Sequence, residues 1–339
     1  MADKKITSID VAKRAGVSQS TVSRVFSVNS ANVSEKATQR VLEAASELGY
    51  EPNIIARMMS TRQTNIIGLV MATITSPFYP YVLEKFLEEL QALGKQVLLF
   101  TASKHQIVDD ILPLALQYQV DALIITSATL SSEMATRAVE SGTPVILFNR
   151  IVRDSSVNSV SADNLAGGRL AADILLDSAH QRLAFMAGVE NTSTSHDRER
   201  GFVQRLNERT YHDLIRLQGD YTYESAHAAT VKLLQRDLLP DALFCANDIM
   251  AIGAMDAIRQ AGLCIPKDIS VLGFDDIPMA SWGSYQLTTI SQNVDAMIQA
   301  TIELMQAKIA NPLTPSRTTH IAGELIVRSS VKNLHTSQE

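Results

Sequence analysis

The sequence predicts an α/β protein in two unequal parts: a short all-helical N-terminal stretch, then a long body of parallel βαβ units in two lobes. Three observations lead there. At 339 residues the chain exceeds one ordinary core and suits two or three domains of about 100–200 residues each. Up to about residue 62, apolar residues follow helical spacing between clear caps. From Asn65 onward, short apolar runs alternate with amphipathic stretches, as strands do when crossover helices separate them.

Composition narrows the class. With 46% hydrophobic residues the chain can bury a sizeable interior and is neither disordered nor fibrous. Aromatics at 5% argue against a stacking platform spread over the surface. Cys245 and Cys264 are too few for a disulfide framework or a four-thiolate zinc site. No apolar run approaches the ~18 residues of a membrane helix. Met1-Ala2-Asp3-Lys4-Lys5 leads into a polar amphipathic stretch without a signal peptide's hydrophobic segment. A soluble cytoplasmic protein without membrane or cofactor is expected.

The net charge of −6 hides an asymmetry. Residues 1–62 carry nine Lys/Arg against six Asp/Glu, a balance of +3; the remaining chain, 21 against 30, carries −9. A basic head on an acidic body suits a nucleic-acid module joined to something that binds no polyanion.

In the head, Thr7 or Ser8 can cap a helix running through Ala15, and Gly16 supplies the sharp turn. Ser18 then caps a second helix, Gln19 to about Phe26. Val11, Ala12, Val17, Val22 and Val25 are spaced to bury one side of each helix against the other, which is the helix-turn-helix pattern. The outward side of the second helix carries Gln19, Ser20, Thr21, Ser23 and Arg24, with Ser18 at its start. Short hydroxyls bond phosphates and let a helix sit deep in a major groove. Gln19, Ser20 and Arg24 can reach base edges, and Arg24 suits guanine. A solvated polar face is the plainer alternative. In a third helix Ser34 caps Glu35–Leu48, with Val41, Leu42, Ala45 and Leu48 as the expected buried stripe and Gly49 as the stop.

The run Ser8-Ile9-Asp10-Val11-Ala12-Lys13-Arg14-Ala15-Gly16-Val17-Ser18-Gln19-Ser20-Thr21-Val22-Ser23-Arg24-Val25 resembles the DNA-binding head of the lactose/galactose repressor family (LacI/GalR). So does Leu48-Gly49-Tyr50-Glu51-Pro52-Asn53, which in that family leads to a hinge. The resemblance covers roughly residues 5–330. It implies a helix-turn-helix domain at 1–52, a hinge at 53–62, and a two-lobed, periplasmic-binding-protein-like body at 63–332 that binds an effector and dimerises. A tail at 333–339 completes the chain. Family hinges form a short helix on DNA that pairs with its dimer mate in the minor groove. Ala56 matches the alanine facing the partner helix, and Met59 stands where the family has a wedging leucine; methionine is an acceptable wedge. Asn53 and Arg57 are expected to touch backbone or groove floor. A flexible linker is the alternative for 53–60.

In the body, candidate strands are Ile66–Ile74, Gln96–Ala102, Ala122–Ser127 and Val145–Asn149, then Leu183–Ala187, Leu214–Gln218, Ala242–Ala246 and Ile269–Phe274. A helix at 294–310 and a strand region at 319–331 come next, with lobe crossings expected near 161–163, 290–293 and 320–324. Ligands of open parallel sheets sit beyond the carboxyl ends of the strands. That rule selects the Phe78 loop, Asn149-Arg150, the loop ending in His196-Asp197-Arg198, Asn247-Asp248, Asp275-Asp276 and the Trp282 loop. Hydrogen-bonding groups beside aromatic faces suit a polyhydroxylated ligand. The resemblance agrees on Arg198, which matches the arginine such repressors use on their effector, and on the stretches holding Asn247 and Asp275. Phe78, Arg150, Asp163 and Trp282 complete the expected contacts. Bland roles compete: Asp248 or Asp163 as a helix cap, Asp276 as a loop brace, Trp282 as core, and Arg198 paired with Asp275.

Enzyme signatures are missing. No Gly-x-Gly-x-x-Gly follows the first strand, and there is no Walker loop, no His-Glu-x-x-His helix and no Gly-x-Ser-x-Gly elbow. Ala166-Gly167-Gly168-Arg169 is too short for a phosphate cradle and reads as close helix packing. The expected function is a sequence-specific transcription regulator, read as a repressor. Its partners would be pseudo-palindromic operator DNA, a second copy of itself and a sugar or sugar derivative. The tail shows no leucine heptads, so a dimer is expected rather than a tail-built tetramer. Alternatives are a periplasmic-type binding protein without DNA function, a co-repressed regulator of a purine-like ligand, and a sugar or nucleotide enzyme.

Overall fold

A computed structural model describes residues 6–26, 33–51, 64–71, 76–101, 108–126, 134, 137, 140–152, 157–190 and 192–334. The chain divides into two units, residues 1–64 and 65–339.

In the first unit, α1 (Ser8–Ala15) is capped by Thr7, whose backbone N–H donates to Asp10 Oδ2 at 2.9 Å. Gly16, at φ +63°, turns the chain where a Cβ would be strained. Ser18 caps α2 (Gln19–Val25) by accepting from the Thr21 N–H at 3.2 Å. Ser34 caps α3 (Glu35–Leu48), and Gly49 ends it in the left-handed region. Val11, Ala12, Ala15, Val22, Val41, Ala44 and Ala45 form the core of this unit, with Phe26 and Tyr50 packed at its margin. Small residues let three short helices approach closely. The stripe of α3 differs from expectation at one place: Leu42 is 45% exposed, and Ala44 takes the inward position. Val41, Ala44, Ala45 and Leu48 keep the i, i+3, i+4, i+7 spacing of one face, which Leu42 does not.

The second unit holds two six-stranded sheets. One contains β1 (Ile66–Met71), β2 (Gln96–Thr101), β3 (Ala122–Ile125), β4 (Val145–Phe148), β5 (Asn158–Ala162) and β11 (Thr318–Ile321), in the order β11-β5-β4-β3-β1-β2. All its pairings are parallel. The other contains β6 (Leu183–Ala187), β7 (Ile215–Gln218), β8 (Ala242–Cys245), β9 (Ser270–Asp275), β10 (Thr288–Ser291) and β12 (Glu324–Ile326). Its order is β12-β10-β9-β8-β6-β7, with only β12 antiparallel. Burial of β3, β4, β6, β8 and β9 along their whole length explains the continuous apolar runs there.

The connecting helices are α4 (Phe78–Ala92) and α5 (Val108–Gln117) in the first lobe and α6 (Asn164–Asp177), α7 (Ser193–Glu208), α8 (Tyr223–Leu233) and α9 (Asp248–Gln260) in the second. The long α10 (Val294–Ala310) returns to the first lobe, where it packs on β4, β5 and α4. The chain therefore passes between sheets three times, after β5, after β10 and between β11 and β12.

Close packing in the second lobe fixes where its polar side chains stand. At the α6–α7 crossing, a Cβ at Gly168 would strike the Arg198 carbonyl oxygen, and one at Gly201 the Leu165 carbonyl oxygen. Beneath it, Phe185, Phe202 and Phe244 cluster with ring centroids 5.0–5.7 Å apart.

Candidate functional site

Two surfaces carry chemistry. On the first unit, Gln19, Ser20, Ser23 and Arg24 lie exposed along α2. Ser18 and the half-buried Thr21 hold the helix start, sharing a hydroxyl hydrogen bond of 2.8 Å. Gln19 Nε2 donates to Ser8 Oγ at 3.2 Å, which ties α2 to α1. The result is a polar helix face tied to α1 and free of large apolar side chains, which suits major-groove entry. Asn53, Ala56, Arg57 and Met59 lie outside the described residues.

On the second unit, polar groups gather at the carboxyl ends of strands. Sequence spacing puts His196-Asp197-Arg198 at the end of a loop; α7 instead begins at Ser193, because the Thr192 hydroxyl accepts from the Ser195 N–H at 3.3 Å. Arg198 therefore projects from a helix and is only 2% exposed. Its Nε donates to Asn164 Oδ1 at 2.8 Å and its Nη1 to the Ala246 carbonyl at 2.5 Å. Nη1 stands 3.2 Å from Asp275 Oδ1, and the guanidinium carbon lies 3.7 Å from the Phe274 ring centroid.

Asp275 adopts φ 120°, a backbone region that side chains rarely occupy. Gln292 Nε2 donates to its Oδ1 at 2.5 Å. Burial pushes the Asp275 carboxyl above the usual range, while Arg198 and Gln292 pull it down. Asp275 also borders an acidic cavity of about 250 Å³, shared with Tyr81, Asp276, Asp295 and Glu324.

The neighbours separate cap from brace. Asn247 caps α9, accepting from the Met250 N–H at 3.1 Å. Asp248, fully buried, accepts from the Thr289 hydroxyl at 2.6 Å and the Ile277 N–H at 2.9 Å. Burial and Asp275 push its carboxyl up to about 7. Asp276 is held by Arg328 Nη2 at 2.8 Å and braces its loop.

From the first lobe, Arg150 reaches across. Its Nη1 donates to Thr194 Oγ1 at 2.5 Å and to the Asn149 carbonyl at 3.1 Å, and its Nη2 to Tyr79 Oη at 3.4 Å. The Ile151 N–H donates to Ser193 Oγ at 3.2 Å. Among the described residues, three side-chain atoms here are buried without a hydrogen-bond partner: Asn149 Oδ1, Arg150 Nε and Gln292 Oε1.

The remaining expected contacts sit differently. Phe78 is buried, edge-on to Tyr79, so the tyrosine presents its hydroxyl to Arg150. Asp163 caps α6, accepting from the Ala166 N–H at 2.9 Å. Trp282 is 57% exposed, so it is not core, and it follows a single 3-10 turn, Pro278–Ser281. Thr194, Tyr221 and Gln292 also join the site without having been expected there. Tyr221 Oη shares a 3.3 Å hydrogen bond with Thr194 Oγ1, and its ring packs over Gly188, where a Cβ would collide. It lies just beyond the carboxyl end of β7, where the strand-end rule would have found it.

Similarity to known proteins decides the family. Residues 8–53 match the family described as bacterial regulatory proteins, lacI family, and residues 172–331 the periplasmic binding protein-like domain. A probable HTH-type transcriptional repressor, ExuR of Bacillus subtilis (strain 168), is 30% identical over 98% of this chain and 100% of its own length.

The chain belongs to the LacI family.

This LacI-family chain is a DNA-binding transcription regulator and not an enzyme. Its fold matches the Lac repressor dimer bound to operator and the anti-inducer ONPF, with a TM-score of 0.85 and 27% identity over 96% of this chain and 99% of that one. It also matches the complex of the regulator CelR with cellobiose, with a TM-score of 0.72 and 28% identity over 96% and 99%. No helix among the described residues is long and apolar enough to cross a membrane.

Proposed function

We propose that this regulator is a cytoplasmic homodimeric repressor whose operator affinity is set by a sugar or sugar derivative bound between the lobes. Each protomer reads one half-site with Gln19, Ser20 and Arg24, with Ser18, Thr21 and Ser23 toward phosphates. The homodimer spans a pseudo-palindrome. Asn53, Ala56, Arg57 and Met59 enter as hinge residues through the family resemblance, with residues 1–52 as head, 53–62 as hinge, 63–332 as body and 333–339 as tail.

The observation that carries the effector reading is the bonding of Arg150 in the first lobe to Thr194 in the second, beside the Arg198–Asp275 pair. A ligand bonding to both lobes changes their relative angle, and through the hinges the spacing of two heads. That is coupling between two sites, and operator must act back on effector affinity equally. Asp and Arg can bond a hydroxyl from opposite sides, and the cellobiose-bound relative supports the sugar class. Phe78 belongs beneath the site as packing. Asn247 and Asp163 hold helix starts beside it, and Trp282 offers an exposed ring to the effector.

The test is capture of genomic fragments by the purified protein, followed by sequencing. A shared palindrome is expected, and its affinity should change with the sugar consumed by the adjacent genes. Enrichment without any common sequence would refute specific reading.

A further inference from the structure

Arg150 is the informative residue. Of its five N–H donors, Nη1 is committed to Thr194 and to the Asn149 carbonyl, and Nη2 makes one long contact to Tyr79. Nε is buried and has no hydrogen-bond partner among the described residues. Nε–H and one Nη2–H point the same way from the planar guanidinium, as two parallel donors spaced to match the two oxygens of a carboxylate. Among the described residues no carboxylate lies within ion-pair distance of Arg150. Asp275 is engaged by Arg198 and Gln292 and feels Arg150 only through space.

Charge accounting points the same way. Arg198 and Asp275 pair with each other, so Arg150 has no ion-pair partner of its own among the described residues, in a part-buried place where a charge is costly unless paired. A neutral hydroxyl would satisfy one donor and leave that charge unbalanced. A phosphate dianion would ask for about twice the compensation that one free guanidinium gives. Next to Arg150, Asn149 Oδ1 is an unpartnered acceptor on a residue 4% exposed; Gln292 Oε1 is another on one 1% exposed. Acceptors without donors call for ligand hydroxyls.

We propose that the effector is a sugar acid, its carboxylate received by the Nε–Nη2 edge of Arg150 and its hydroxyls by Asn149, Gln292 and Asp275. The acidic cavity beside Asp275 sets the orientation: an anionic group is favoured at Arg150 and hydroxyl donors at Asp275. This rests on the reading that an effector binds between the lobes.

The test is thermal shift and calorimetry on the full-length protein with matched sets: uronates and aldonates, their parent neutral sugars and the corresponding sugar phosphates. At least one acid is expected to raise the Tm well beyond its neutral parent and its phosphate. Arg150→Gln should remove that shift, and Arg150→Lys, keeping charge without the parallel edge, should weaken binding about tenfold or more. The Tm of each variant without ligand shows that it is folded. A neutral sugar or a phosphate acting as well as its acid overturns the carboxylate assignment and leaves the cleft reading standing. So does an acid that binds Arg150→Gln unchanged. Silence from every compound, in Tm and in operator affinity, overturns both.

Discussion

Arg198 and Asp275 form a buried ion pair in which neither partner is chosen by its own element alone. The guanidinium is aimed by Asn164 on α6 and the Ala246 carbonyl beyond β8, and the carboxylate by Gln292 beyond β10. Asp275 holds φ 120° within that frame, so groups from four segments over-determine one strained residue.

Removing the carboxylate tests the pair. Asp275→Ala leaves Arg198 charged and buried without its counterion, a loss of about 3–5 kcal/mol of stability. Urea unfolding should show it, with Asp275→Asn losing less because the Gln292 bond survives. Effector response should disappear in Asp275→Ala while operator binding persists in the folded protein; an unchanged effector response would remove Asp275 from the site.

On the head, Arg24→Ala should cost about 1–3 kcal/mol on the operator and much less on random DNA. Gel-shift titrations on both, at one salt concentration, make the comparison. Equal losses would mean that Arg24 meets only phosphate.

The α6–α7 crossing gives a third expectation. Gly201→Ala forces a methyl group against the Leu165 backbone carbonyl and should cost about 1–3 kcal/mol. The Tm should fall by several degrees. Because Arg198 sits one turn away, effector affinity should fall too. Gly283→Ala, with nothing within 4 Å, is the control and should change neither.

Asp248 makes stability pH-dependent. Its carboxyl titrates near 7 in the folded chain against an ordinary value of 3.8. Between those values the folded state holds a proton that the unfolded state has released, so this group's contribution shrinks as pH rises from about 4 to 7 and then levels off. In Asp248→Asn the amide oxygen can still accept from Ile277 and the NH₂ can donate to Thr289. Chemical unfolding of both proteins across that range should show the variant gaining on the parent as pH rises. A constant difference would place the titration elsewhere.

What the sequence disclosed depended on which signals are local. Caps at Ser18 and Ser34 and turns at Gly16 and Gly49 are written in single residues, and the three helices of the head followed from them. The strand β5 escapes an apolar-run search because Asn158-Ser159-Val160-Ser161-Ala162 is polar although wholly buried. Its polar groups are satisfied from afar: Asn158 Oδ1 accepts from the Arg317 N–H and Ser159 Oγ donates to Thr318 Oγ1, some 159 residues along the chain. Asn247 and Asp248 adjoin, and only the fold assigns the cap to one and the brace to the other. Tyr221 was reachable from the strand-end rule, whereas Gln292 required knowing that β10 ends beside β9.

The three passages between sheets leave neither lobe as a continuous stretch of chain. Residues 318–326 give an edge strand to each sheet in succession. A chain stopped before residue 318 would therefore damage both lobes together, and neither lobe can be moved into a relative by a single cut. New ligand preferences in this architecture must arise by substitution at strand ends rather than by shuffling lobes.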